Sequence, residues 1–273
     1  MKIDTYIPDA KLDLERFYKM LFERVSFTFI RFSDGEMEII RNRYVEIGNG
    51  YTVFKNKKVP SNFPEYDRKV FDPEKNILFR EELLNSARKS GLNYFKGIPS
   101  THNNLIDDRD FMVSLNSGMS KFMTFSDLLL NSNYLAFRKK IVPLFSSIKN
   151  LAVIANYRAK FQSELSHANH ICIGDNIFEN YKSILDSVML NLNELPNSSV
   201  VLSSASSLSN ILGMKLYEIR PDITFIDIGT SLNDLLGLDS RTRAYHNLYF
   251  SKSIKEKIIA FRYTFTKEYK IKW

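Results

Sequence analysis

The sequence predicts an α/β fold: a Rossmann-like, mostly parallel sheet with helices on both faces. Three observations carry that expectation. From about residue 150, apolar runs recur at 151–155, 170–173, 200–202 and 223–228, separated by helix-length mixed stretches. Such alternation implies right-handed crossovers between parallel strands. Each run ends in a polar cluster, namely Asn156-Tyr157-Arg158, Gly174-Asp175-Asn176, Ser203 to Ser207, and Asp227-Ile228-Gly229-Thr230-Ser231. An earlier β-branched and aromatic run, 27–32, ends the same way in Ser33-Asp34-Gly35-Glu36. Open α/β sheets bind ligands at the carboxyl ends of their strands, so these clusters should meet in a single cleft.

Residues 9–25 carry Leu12, Leu14, Phe17, Tyr18, Leu21 and Phe22 among charges, close to a helical stripe. The strand at 27–32 follows, and a helix starts at Glu36 and runs to Arg41. Residues 42–73 hold Gly48, Gly50, Pro60, Pro64 and Pro73 and predict a long irregular segment near the site. Its Lys55, Lys57, Lys58, Arg68 and Lys69 are either phosphate contacts or a solvated surface. Pro73-Glu74 opens a helix through Lys89, with Gly91 as its stop. A short apolar strand at 94–98 then runs into a polar loop containing His102, which is either a base, a substrate contact or an ordinary loop histidine. Residues 106–148 read as helical for most of their length, broken near Gly118 and at 124–127, where Ser126 or Asp127 caps the next helix. No low-complexity linker divides the chain, which predicts one domain over 1–250 and a basic tail over 251–273.

At 273 residues and 44% hydrophobic composition, the chain can bury a sizeable core. The formal charge is +7, and Lys252, Lys255, Lys257, Arg262, Lys267, Lys270 and Lys272 are opposed in the tail only by Glu256 and Glu268. Most of the excess is therefore local. That argues against nucleic acid as a partner and for a contact with something anionic, membrane headgroups being one option. The spacing of Ile254, Ile258, Ile259, Phe261 and Phe265 allows an amphipathic helix there, lying on a membrane or packed on the body. One cysteine, Cys172, precludes an intramolecular disulfide and suits a reducing cytoplasm; its apolar setting predicts a small core residue. No stretch reaches the roughly 18 apolar residues of a membrane span.

Asp34 and Glu36 lie two apart around Gly35. Hard oxygen donors so placed suit Mg²⁺ or Mn²⁺, which take one or two carboxylates and fill the shell with water and phosphate. An ordinary Asp-Gly turn at a helix N-terminus accounts for the same residues without metal. Ser203 to Ser207 stand before a helix, where backbone N–H groups and hydroxyls, those of Ser204 and Ser206 among them, either meet phosphate or simply cap. Asp227 either holds a sugar hydroxyl or caps the following helix. Hydrolase patterns such as G-x-S-x-G and H-E-x-x-H are absent.

These residues give the chain a resemblance to the bacterial GT-D glycosyltransferases, whose signature Arg-Phe-Gly-Asp-Gly-Glu reads here Arg31-Phe32-Ser33-Asp34-Gly35-Glu36. Gly97-Ile98-Pro99, the 168–181 stretch with Asn176 and Tyr181, and Phe225-Ile226-Asp227-Ile228-Gly229 are similar to further family segments in the same order. The resemblance spans about 15–235 and implies a GT-D type fold. It also implies that Asp34 and Glu36 serve the divalent metal, Mn²⁺ or Mg²⁺, and the nucleotide-sugar diphosphate. Three departures stand out. Ser33 replaces a glycine, the 123–127 stretch replaces a Ser/Thr-Arg-Pro-Tyr element, and the serine cluster replaces a Gly-Pro-rich turn; the last two fall where donor or acceptor would touch.

The expectation is a metal-dependent glycosyltransferase moving a sugar from a nucleotide-diphosphate donor, uridine-linked by the resemblance, to a glycan, glycoprotein or lipid-linked acceptor in bacterial surface glycan assembly. Asp34 and Glu36 are the catalytic and metal candidates. Arg31, Ser33, His102, Asn176, Tyr181, Ser204, Ser206 and Asp227 are substrate-binding candidates, and Glu36, Glu38 and His102 the candidate bases. The alternatives are a non-catalytic nucleotide- or glycan-binding protein and a membrane-surface adaptor acting through the tail.

Overall fold

The structure is a computed structural model that describes residues 6–100, 106–239, 243 and 245–268. Seven strands form an all-parallel sheet in the order β7-β6-β1-β11-β10-β8-β9. They are β1 (Thr28–Arg31), β6 (Tyr94–Ile98), β7 (Met123–Phe125), β8 (Leu151–Asn156), β9 (Asn169–Ile173), β10 (Val200–Ser203) and β11 (Thr224–Asp227). Every strand read from the sequence is present within two residues at each end. The predicted α/β class and parallel sheet therefore hold.

Side chains alternate across β1 and sort its neighbours into two cores. Phe29 points with Phe27, Phe95 and Phe17 into one layer, where ring centroids lie 4.8 to 6.1 Å apart. The helix Ala10–Phe22, whose N-terminal amides at Lys11 and Leu12 donate to Asp9, covers this face together with the helical run through Tyr134 and Phe145. Ile30 points the other way, toward the helices Ile77–Arg88, Tyr181–Asn193 and Leu208–Ile219. At Gly213 the last of these approaches β1 so closely that a Cβ would lie 2.5 Å from Ile30 Cγ2. Burying each such Phe or Ile contributes roughly 1.5–3 kcal/mol, which makes the strand preceding the acidic turn among the most firmly held parts of the chain.

Three expectations are corrected. Residues 42–73 are not irregular: they contain a four-stranded antiparallel sheet, β4-β3-β2-β5, of β2 (Val45–Ile47), β3 (Tyr51–Phe54), β4 (Lys57–Pro60) and β5 (Lys69–Phe71). Lys55 and Asn56 both have positive φ, 51° and 58°, the left-handed pair of a two-residue hairpin turn, and Pro60 sits on an edge strand where no ladder donor is needed. Within 106–148, Met123–Phe125 is a sheet strand rather than a helix break, and Asp127 accepts from Asn131 Nδ2 instead of capping the next turn. Cys172 is exposed. It lies on the edge strand β9, whose Ile171 and Ile173 face inward while Cys172 faces out.

Lys96, in the middle of β6, is buried, and its Nζ donates to the carbonyls of Ala87 and Lys89 and to Asn116 Oδ1. Burial pushes its ammonium down to about 8. The unfolded chain thus holds this proton more tightly, so stability rises with pH from about 8 toward the ordinary lysine value. Lys96→Met should lower the melting temperature by several degrees at pH 7, since each buried acceptor left without a donor costs about 1–3 kcal/mol. It should also flatten that alkaline rise in calorimetric scans.

Candidate functional site

All seven parallel strands deliver residues to one cleft of about 850 Å³. Its floor is formed by Arg31, Ser33, Asp34 and Glu36 after β1, Ser204 to Ser206 after β10, and Gly229 and Thr230 after β11, with contributions following β6, β7, β8 and β9. The small sheet supplies the facing wall through Phe54 and Lys69, joined by Tyr66 and Arg68 from the turn between β4 and β5. The single cleft expected from the strand-end clusters is therefore present.

The turn after β1 is tied by its own side chains. Ser33 starts the helix Asp34–Ile40, and both its backbone N–H and its hydroxyl donate to Glu36 Oε2, at 3.1 and 2.7 Å. The backbone bond is one half of a capping box, and the two bonds together commit one Glu36 oxygen to the turn. Asp34 differs: one oxygen accepts from Gly35 N at 3.0 Å and the residue is open to the cleft. Protein crowding around the cleft floor, followed by the neighbouring Glu36 carboxylate, raises its pKa, while Arg243 on the cleft wall pulls the other way. Asp34 keeps contact with water, so partial desolvation by the surrounding protein, with Glu36 second, accounts for that rise.

Arg31 and Asp227 brace the floor. The guanidinium meets the carboxylate side-on, Nε and Nη2 each 3.3 Å from an oxygen. Nη1 donates to Ser126 O, and the Arg31 carbonyl accepts from Asn210 Nδ2. Asp227 also accepts from Gly229 N at 2.9 Å. Full burial outweighs the attraction of Arg31 and leaves the Asp227 pKa raised. Gly229 is required here: at φ 48°, any Cβ would sit 1.8 Å from Arg31 Nη2.

The serine loop is knit internally. Ser203 and Ser209 share a hydrogen bond, Ala205 N donates to Ser209 Oγ, and Ser204 Oγ donates to Gly229 O. Ser206, held at φ 52°, accepts from Lys69 Nζ at 2.7 Å, and Asn176, at φ 41°, accepts from Val70 N. Both residues therefore fasten the small sheet over the cleft.

The structure thus brings Arg31, Ser33, Asp34, Glu36, Asn176, Ser204 and Ser206 together. Tyr181 is not among them: it is a core residue packed against Phe79, and burial raises its hydroxyl pKa. Asp227 neither caps the next helix nor faces the cleft; it acts behind Arg31. Glu38 is unsuited as a base, because it is buried, paired with Arg43 and accepts from Lys55 N. His102 lies outside the described residues. Sequence reasoning missed Tyr66, Asn233, Arg243 and Tyr245. Tyr66 donates to Asp239 O and accepts from Asn233 Nδ2, joining the small sheet to the segment after β11. The one available signal was an aromatic among the charges at 65–69.

No family model and no curated protein matches the chain. Solved structures do. A selenomethionine-substituted structure of domain of unknown function 1792 matches with a TM-score of 0.54 at 15% identity, over 88% of this chain and 84% of that one. A structure described as a new glycosyltransferase of domain 1792 from Streptococcus sanguinis gives 0.52 at 16% identity, over 90% and 93%. A third, described as a highly conserved domain 1792 with a distinct glycosyltransferase fold, gives 0.51 at 14%, over 86% and 88%. The chain shares their fold, which is the fold the resemblance implied.

Proposed function

We propose that this chain is a glycosyltransferase that takes a nucleotide-diphosphate sugar, a uridine-linked one by the resemblance, and uses Mn²⁺ or Mg²⁺ held at Asp34 with Glu36. The observation that carries the reading is Asp34 itself, a carboxylate open at the floor of the cleft where every parallel strand ends. Among the described residues no cluster of three or more His, Cys, Asp or Glu side chains could hold a metal. A lone open carboxylate beside a second one fits a hard cation whose remaining positions go to water and phosphate, and does not fit a closed zinc site.

A bound cation would supply Lewis-acid stabilisation of the diphosphate charge that grows as the anomeric bond breaks. The chain's own residues do the rest. Asp34 offers its free carboxylate oxygen, while Glu36 fixes the turn that presents it. Lys69, Arg68 and Arg243 line the cleft and bring positive charge toward the diphosphate. Ser204 and Ser206 stand before the helix Leu208–Ile219, whose N-terminus favours an anion. Arg31, neutralised by Asp227, keeps the floor in shape. With Glu38 spent on Arg43, Glu36 is what remains of the candidate bases among the described residues, and Asp67 and Asp127 also line the cleft. The acceptor is a surface glycan, glycoprotein or lipid-linked saccharide at the cytoplasmic face.

Incubating the protein with a panel of nucleotide sugars, with and without Mn²⁺, and measuring slow release of nucleoside diphosphate tests this. Metal-dependent hydrolysis of one donor is expected. Donor binding that ignores metal and survives Asp34→Ala with Glu36→Ala would instead favour a non-catalytic nucleotide-binding protein.

A further inference from the structure

The helix Ile254–Glu268 is seated on the body by one side, where Ala260 is 2% exposed. Ile254, Ile258 and Phe261 recur at i, i+4 and i+7, so they form one stripe. At about 100° per residue that stripe lies about 120° around the helix from Ala260. The three side chains remain 76%, 49% and 54% exposed. They border a groove of about 590 Å³ that also takes in Leu248, Tyr249 and Lys139. Lys257 and Arg262 line the same groove from the two flanks of the stripe, and Lys255 lies on the Arg262 flank. Among the described residues no helix is long and apolar enough to cross a membrane. A contiguous apolar stripe edged by cations is a surface for an interface between apolar and anionic media. A second copy of this chain would bring the same cations against it, which disfavours a homodimer.

We propose that this face docks on an anionic lipid surface, with Ile254, Ile258 and Phe261 entering the acyl boundary and Lys139, Lys255 and Lys257 meeting lipid phosphates. Docking of this face is independent of glycosyl transfer and is read separately.

The test is co-sedimentation of the full chain with vesicles of phosphatidylcholine alone or mixed with phosphatidylglycerol, at low and high salt. Binding to the mixed vesicles only, weakened by salt, is expected. Ile258→Glu with Phe261→Glu, and separately Lys255→Glu with Lys257→Glu, should each reduce the partition coefficient at least about tenfold at unchanged melting temperature. The proposal is overturned if the chain does not bind the mixed vesicles, or if binding survives Ile258→Glu with Phe261→Glu. A concentration-dependent dimer in light scattering, dissolved by those same substitutions, would assign the face to self-association instead.

Discussion

Asp34→Asn is expected to lower metal-dependent release of nucleoside diphosphate on the order of 10²–10³-fold, the range seen when one group stabilising transition-state charge is removed. The same substitution should leave the melting temperature unchanged or slightly higher. The sign follows from the raised pKa of Asp34. A carboxyl whose folded-state pKa exceeds its unfolded value favours folding below the unfolded pKa, and that contribution is lost as pH rises through the folded value. At neutral pH the ionised Asp34 is therefore a burden on the fold, sharpened by Glu36 beside it. Thermal melts at pH 7 combined with donor-hydrolysis rates check both halves. A loss of activity that tracked a fall in melting temperature would make Asp34 a structural cap. In the metal-free protein Asp34 should take its proton above the ordinary aspartate range, so titration with Mn²⁺ should show binding that weakens as pH falls into that region.

Arg31→Met should destabilise the protein by about 3–5 kcal/mol, the range for removing one partner of a buried ion pair. Both side chains are well shielded from solvent, 12% and 5% exposed, so little screening softens the loss. Asp227 is already raised by burial, and without Arg31 it would be raised further. The variant should therefore recover part of its stability as pH falls and Asp227 takes a proton. Urea unfolding at pH 6 and pH 8 reads this: the deficit should be larger at pH 8. Adding Asp227→Asn to Arg31→Met should shrink the deficit, since the double variant buries no lone charge.

The site turn was legible because its signals are local: a strand that reads as apolar, then Ser33, Asp34, Gly35 and Glu36 in four consecutive places. The cleft was legible because parallel strands dictate where polar clusters gather. What escaped was tertiary. β2 to β5 are three or four residues each, and β4 is exposed throughout, so no apolar face marks them. The turn signal at Lys55-Asn56 uses a lysine where glycine or asparagine usually stands. Met123–Phe125 escaped because three residues carry no period. Tyr181 and Asp227 sit in family-like segments, yet whether such a side chain faces a ligand or the core depends on helix rotation and on one arginine. Asn176 and Ser206 reach the cleft, but hydrogen bonds to β5 already occupy them.

The sheet order carries a consequence for biogenesis. β1 sits between β6 and β11, and Arg31 waits for a partner 196 residues later in the chain. During synthesis β1 can pair with β6 early, but its other edge stays open until β11 leaves the ribosome. Contacts of such sequence separation form slowly, because the loop-closure entropy must be overcome first. Nascent chains stalled before residue 224 should thus expose a hydrophobic strand edge to holding chaperones. The floor beneath Asp34 is completed only when that edge closes, so the last pairing to form finishes the site.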